Sequence, residues 1–250
     1  MTSLNEIVDY CNEQLSVKKF NDYCPNGLQV EGRGTVQKLV CGVTASQSLI
    51  DAAITHQADA LLVHHGFFWR GESAVIKGMK RKRIAALLAH DISLIAYHLP
   101  LDAHPEWGNN ACLGRVLGLQ DAVATAEADG LVWRGQLANS LSPSDLQKHV
   151  GACLQREVLH LPGGPERIKH VGWCSGAAQG YIEAAAALGL DAFISGEVSE
   201  QTTHQAAELG IHYFAAGHHA SERYGVQALG EHLAEQFALN YEMIDVDNPV

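Results

Sequence analysis

Three clusters of the 250-residue chain combine imidazoles and carboxylates at spacings that suit metal binding. The first is His64-His65, which ends the apolar run Ala60-Leu61-Leu62-Val63 and is followed by Gly66. A short apolar run closed by a turn-former reads as a buried strand, and open α/β sheets gather ligands at the carboxyl ends of their strands. Adjacent side chains of a regular strand point to opposite faces. The two histidines therefore serve one site if the backbone turns at Gly66, or take one each of two neighbouring metals. The second cluster is Tyr97-His98-Leu99-Pro100-Leu101-Asp102, where Pro100 is expected to forbid a continuing helix and leave Asp102 on a loop just beyond a strand. The third is Gly217-His218-His219-Ala220-Ser221-Glu222, in which His218 and Glu222 share one face if a helix starts after the glycine.

Imidazole nitrogen with carboxylate oxygen suits zinc, manganese, iron, cobalt or nickel. His64, His65, Asp102, His218 and Glu222 are too many for one tetrahedral ion with an open position, and fit a pair of metals about 3.5–4 Å apart. Paired cations activate water, so the chemistry expected is hydrolytic. His98 and Glu197, at other expected strand ends, are candidates to orient a ligand or relay a proton. Each motif alone has a plainer reading: a surface His/Glu pair, a Pro-x-Asp turn, a satisfied polar group at a strand end. Their shared place at the carboxyl ends of strands favours metal.

The elements that must position these residues alternate between strand and helix. An opening amphipathic helix starts at a Ser3/Glu6 capping box and carries Leu4, Ile7, Val8, Cys11 and Leu15 on one face. Asp22 to Val30 contains a Pro25-Asn26-Gly27 turn leading into a short extended piece and reads as an ordered surface loop. The pattern of strand Lys38–Val43, helix Ser46–Ala53, strand Ala58–His65, helix Ile84–Ala89 and strand Ile92–His98 then recurs. Its second copy is strand His170–Cys174, helix Tyr181–Leu188, strand Leu190–Glu197, helix Thr203–Leu209 and strand Ile211–His218. Such alternation argues for parallel βαβ units, hence an α/β fold of two related lobes with mainly parallel strands. In this register Glu197 falls opposite His65, and His218 opposite His98. The expected division is residues 1–125, with His64, His65 and Asp102, and residues 126–250, with His218 and Glu222 and a C-terminal segment able to pack back on the first lobe. A turn-rich hinge, Leu161-Pro162-Gly163-Gly164-Pro165, precedes the second copy.

Composition narrows the partners. With 47% hydrophobic residues the chain can bury a full core, and a net charge of −11 disfavours broad attraction to nucleic acid or an anionic membrane. Neither a secretory leader nor a run of ~20 apolar residues is present, so a cytoplasmic location is expected. Six widely spaced cysteines without a Cys-x-x-Cys pair exclude a zinc knuckle or thioredoxin-type motif and read as small core residues. Phosphate-cradling glycine motifs are missing too. Lys80-Arg81-Lys82-Arg83 is the one dense basic run and reads as a solvated helix face rather than a nucleic-acid contact, and Phe67-Phe68-Trp69 as packing.

Together, Pro25-Asn26-Gly27-Leu28-Gln29-Val30, Val63-His64-His65-Gly66, Tyr97-His98-Leu99-Pro100-Leu101-Asp102, Asn109-Asn110, Ser195-Gly196-Glu197 and Gly217-His218-His219-Ala220-Ser221-Glu222 resemble the type 2 homologues of GTP cyclohydrolase I, the Nif-three-like dinuclear-metal proteins. The resemblance runs over essentially the whole length. It implies that His64, His65, Asp102, His218 and Glu222 hold two divalent ions in the cleft between the two lobes, with Glu222 bridging them, and that the chain forms a ring-shaped homohexamer. It also implies hydrolysis of a nucleotide-like or other small heterocyclic or phosphorylated substrate, with hydroxide attacking a purine imidazole carbon and formate leaving. Two positions depart from the family pattern: His98-Leu99-Pro100 is commonly His-Thr-Pro, and Gly217-His218-His219 is often Gly-His-Tyr. Neither departure removes a ligand. The alternative left by the residues themselves is non-enzymatic, a metal carrier or a ring-shaped scaffold.

Overall fold

The computed structural model describes residues 2–250, which form two compact units. The first takes the chain to Gly108 together with Gly225–Asp247, and the second takes Asn109–Tyr224 with Asn248–Val250.

The first unit is built on a five-stranded sheet in the order Asn240–Met243, Lys38–Thr44, Ala60–His65, Ser93–Ala96, Gly27–Val30. The first four strands run parallel, and Gly27–Val30 closes the edge antiparallel to Ser93–Ala96. A parallel strand is covered on both faces, which is why Ala60, Leu61, Leu62 and Val63 are all buried rather than alternating. Helix Gln47–Thr55 starts where the Ser46 hydroxyl accepts the Leu49 N–H at 3.2 Å, and it buries Leu49, Ile50 and Ala53. That helix lies so close to the sheet that a Cβ on Gly42 would stand 2.5 Å from the Leu49 side chain. The opening helix Leu4–Gln14 begins as expected, with the Ser3 N–H donating to Glu6 Oε2 at 3.1 Å. Its buried face packs with Val226, Leu229 and Leu233 from the later part of helix His218–Phe237.

The second unit carries a six-stranded sheet in the order Gln120–Ala124, Trp133–Leu141, Ile168–Cys174, Ala192–Ser195, His212–Ala215, Leu159–Leu161. Its three central neighbours Ile168–Cys174, Ala192–Ser195 and His212–Ala215 are parallel, and the flanking strands are antiparallel. Trp173 anchors this core: it is fully buried, and its indole N–H donates to Asn110 O at 2.8 Å.

The internal repeat is written into the hydrogen bonds. Asp59 Oδ2 accepts the N–H groups of Gln37 and Lys38 at 2.8 and 2.9 Å. Asp191 Oδ2 accepts those of Lys169 and His170, both at 2.8 Å. Each aspartate also continues the ladder through its own backbone, to Lys38 and Ser93 in one unit and to His170 and His212 in the other. Pairing of Leu39 with Ala60 and of Val171 with Ala192 makes Glu197 equivalent to His65, as expected. For the third strand the expectation needs correction. Ser93 pairs with Ala60 as His212 pairs with Ala192, so His98 is equivalent to Gly217, and His218 lies one residue further on. Gly217 supplies the extra residue at φ +94°, where a Cβ would stand 1.7 Å from the Arg156 guanidinium.

No helix among the described residues is long and apolar enough to cross a membrane. Replacing Asp59 or Asp191 by alanine strips two backbone donors of their acceptor and should destabilise the protein by about 1–3 kcal/mol each. The Asp59 variant should lose more, because Arg33 Nη1 donates to the same carboxylate at 2.7 Å. Urea unfolding midpoints check this, and two variants with wild-type midpoints would refute the stitching role.

Candidate metal centre

In the first unit, strand Ala60–His65 delivers its two histidines by tying each to a different neighbour. His64 is fully buried, with Nδ1 2.9 Å from the Tyr97 carbonyl and Nε2 3.5 Å from Asp102 Oδ1. His65 turns toward the adjacent strand, where its Nδ1 meets Thr44 Oγ1 at 3.1 Å. Their ring centroids are nonetheless 4.5 Å apart. The turn that follows needs a glycine: a Cβ on Gly66 would stand 2.2 Å from Gln29 Oε1. The Gln29 carboxamide fills that space and holds the turn, accepting the Phe67 N–H at 2.6 Å and donating to Pro25 O at 2.7 Å.

His98 stands against the same pair, its ring 5.1 Å from His64 and 5.8 Å from His65. The Asp22 carboxylate, 2.7 Å from His98 Nδ1, fixes the ring, and Asn26 Oδ1 accepts the His98 backbone N–H at 2.8 Å. Asp22 also accepts the N–H groups of Tyr23 and Leu99 and one from the Asn26 carboxamide. Burial alone would push the Asp22 carboxyl up, but the hydrogen bond and charge of His98, with the Asn26 and Tyr23 donors, hold it below the usual carboxylate range.

Asp102 is not on a loop. Leu99–Asp102 is one helical turn capped by His98, whose carbonyl accepts the Leu101 and Asp102 N–H groups. Pro100 lies within the first turn, where its missing N–H would have had no intrahelical partner, so it opens this turn rather than preventing it.

In the second unit, helix His218–Phe237 starts immediately after Gly217, as the spacing required. His218 Nε2 lies 3.0 Å from Glu222 Oε2, and its Nδ1 lies 2.7 Å from Glu197 Oε1. A Cβ on Gly176 would stand 2.1 Å from Glu222 Oε1, and this residue holds φ +65°, so only glycine fits beside the carboxylate. Ser221 tightens the corner by accepting the Gly176 N–H at 3.0 Å and donating to the His218 carbonyl at 2.8 Å. Burial works against the imidazolium of His218, yet Glu222 and then Glu197 outweigh it and raise its pKa to about 9. Two donors 3.0 Å apart are also spaced to share one ion at bonds of about 2.0–2.2 Å, so without metal a proton holds the pair together.

The structure thus groups His64 with His65, Asp102 and His98 in one unit, and His218 with Glu222 and Glu197 in the other. Sequence reasoning missed the roles of Asp22 and Asn26 and favoured packing over base stacking for Trp69. Phe67 does pack into the core, but Trp69 presents its ring 5.9 Å from His65 and 5.0 Å from His98. The signal available for Asp22 and Asn26 was the Asp-x-x-Pro-Asn-Gly run itself, whose polar side chains had no local helix or strand to cap.

A family model described as Duf34/NIF3 (NGG1p interacting factor 3) matches residues 2–249. An Allochromatium vinosum protein named GTP cyclohydrolase 1 type 2 homolog is 56% identical over 249 residues, covering 100% of this chain and 98% of its own length. An Escherichia coli protein of the same name is 51% identical over 245 residues, covering 98% of each. Among solved structures, protein ybgI, described as of unknown function, is 50% identical with a TM-score of 0.95 over 100% of both chains. A Thermus thermophilus protein is 32% identical with a TM-score of 0.90, again over 100% of both.

Because the folded pKa of His218 lies above its ordinary value, the stability it contributes is fully present below about pH 6.5 and is lost as pH rises through about 9. In chelator-treated protein, the stability advantage of wild type over Glu222→Gln should therefore be largest near pH 6, at up to about 3 kcal/mol, and shrink toward pH 10. Thermal melts across that range test the coupling. A constant difference would disprove it.

Proposed function

The chain belongs to the DUF34/NIF3 family, and on that premise we propose a dinuclear divalent-metal protein that hydrolyses a nucleotide-like or other small heterocyclic or phosphorylated substrate. One observation carries this reading. In each unit a buried carboxylate faces the Nε2 of an imidazole whose Nδ1 is already engaged: Asp102 with His64 at 3.5 Å, and Glu222 with His218 at 3.0 Å. We assign His64, His65, Asp102, His218 and Glu222 as ligands of two ions, with Glu222 shared between them. Zinc, manganese, iron, cobalt and nickel all suit this mixed nitrogen and oxygen set. When bound, such ions bring the pKa of a coordinated water toward neutrality and polarise the bond under attack.

The remaining groups have defined parts. Glu197 keeps the proton of His218 at Nδ1 and so aims Nε2 at the ligand position. Asp22 does the same for His98, which leaves its Nε2 to accept a proton or hold a polar group of the substrate. Trp69, beside both His65 and His98, offers an aromatic surface to a heterocycle. The name carried by the relatives favours a purine nucleotide whose imidazole ring is opened by water with release of formate. A ring-shaped hexamer completes the reading, and light scattering on the purified protein tests it.

Purified protein should carry about two transition-metal ions per chain. Glu222→Ala and His64→Ala should each lower that occupancy while leaving the circular dichroism spectrum intact, and full metal content in both variants would reject the assignment. A screen of cyclohydrolase, phosphatase and amidohydrolase substrates with and without chelator should find turnover that chelation abolishes. Metal exchange to an apo acceptor with no turnover on any substrate would instead establish a carrier.

A further inference from the structure

We infer that the cavity beside Glu197 in the second unit is a subsite for an oxyanion group, anchored by Arg156 and covered by the chain's own segment Asn248–Val250, which an arriving anion displaces. The cavity measures about 670 Å³, within the usual range for small-molecule sites, and Arg156, Glu197, Gly217, Pro249 and Val250 line it. All of these belong to the second unit. Arg156 comes two residues after helix Pro143–Leu154, which ends at Gln155 in the left-handed conformation, φ 57°. Its guanidinium lies against the Gly217 backbone, in the space that any side chain at 217 would need. It donates to two carbonyls, Glu157 O from Nε and Pro249 O from Nη2, each at 3.2 Å, and to no carboxylate among the described residues.

A guanidinium engaged only by neutral carbonyls is far from its strongest state. With phosphate or carboxylate oxygens its hydrogen bonds are shorter, bidentate and roughly twice as strong. Two carboxylates line the cavity, but neither claims Arg156: Glu197 Oε1 is 2.7 Å from His218 Nδ1, and Glu157 is exposed. The covering segment is lightly held. Val250 is 58% exposed, and the segment is fastened by Pro249 O at Arg156 and by Val250 O, which accepts the His219 N–H at 3.0 Å. A further bond, from the Val250 N–H to Asn248 Oδ1 at 3.0 Å, lies within the segment itself. Both fastenings are ordinary hydrogen bonds to backbone oxygens, and each exchanges for water at small net cost. An anion that takes Arg156 removes the first, and with the segment gone the His219 N–H, in the first turn of its helix, opens to water.

The inference deepens the proposed function by naming how that site holds an acidic group of its substrate, and it rests on that reading only for the chemistry beside the subsite. Inorganic phosphate, titrated calorimetrically into the protein as purified and again after chelation, should bind with the same dependence on Arg156 in both. Arg156→Gln should weaken it by at least about 10-fold, with Arg156→Lys in between. Deleting residues 248–250 should tighten it by at least about 5-fold, because the competing segment is gone. In wild type, phosphate should speed hydrogen exchange at the His219 amide toward the rate of the deletion variant. Acetate in a parallel titration separates the sources: binding of phosphate alone assigns a phosphoryl group, and binding of both assigns a carboxylate as well. No phosphate binding by the deletion variant, an affinity indifferent to Arg156 or to the deletion, or an unchanged His219 exchange rate in saturating phosphate would overturn the inference. The exchange measurement needs no variant that could misfold. Binding that chelation abolishes and Arg156 does not affect would put the anion on the ions, overturning the subsite and leaving the dinuclear reading intact. Arg156-dependent binding in protein that holds no metal would leave the subsite standing where that reading had failed.

Discussion

An imidazole coordinates a cation along a lone pair fixed in the plane of its ring, so the ring must be turned and its tautomer set before it is a useful ligand. That requirement organises the candidate centre. His64, His65, His98 and His218 are all held through Nδ1, by a backbone carbonyl, a hydroxyl and two carboxylates drawn from four different segments. The strands of the first unit bring His64, His65 and His98 near one another, but these anchors decide which nitrogen each ring presents.

Charge balance explains the close contacts around these anchors. Asp102 and Glu222 are 5% and 3% exposed, and a carboxylate so far from water must find a positive or hydrogen-bonding partner. In the second unit the partner is protonated His218, and glycine at position 176 lets the backbone approach where any side chain would displace the carboxylate. Asp22, whose side chain is 3% exposed, meets the same demand with four hydrogen-bond donors. A metal ion entering the second unit must therefore displace a proton, while Asp22 stays as it is. In both units the strength of the interactions comes from the low-dielectric surroundings that the βαβ layers provide.

Much of this was legible in the sequence because the relevant signals are local. Apolar runs ending in polar residues located the strand ends, the Gly217 turn located the helix start, and four-residue spacing put His218 and Glu222 on one face. Three features escaped for physical reasons. Asp22 reaches His98 across 76 positions, and no local periodicity records a contact of that range. Pro100 is equally compatible with ending one helix and opening another, and only the capping carbonyl of His98 decides between them. The single-residue offset at Gly217 is invisible to pattern matching because both expected third strands, Ile92–His98 and Ile211–His218, end in a histidine, and only the ladder pairing shows which residues are equivalent.

Asp59 and Asp191 stitch the amino ends of their strands, whereas every proposed ligand lies at or beyond a carboxyl end. One edge of each sheet thus carries the shared architecture, and the opposite edge is free to diverge. Within this one polypeptide the two copies have done so, with a histidine at position 65 where the other has a glutamate at 197. A duplicated scaffold of this kind separates folding from chemistry, and new donor sets can be grafted onto one rim while the fastening on the other rim is left untouched.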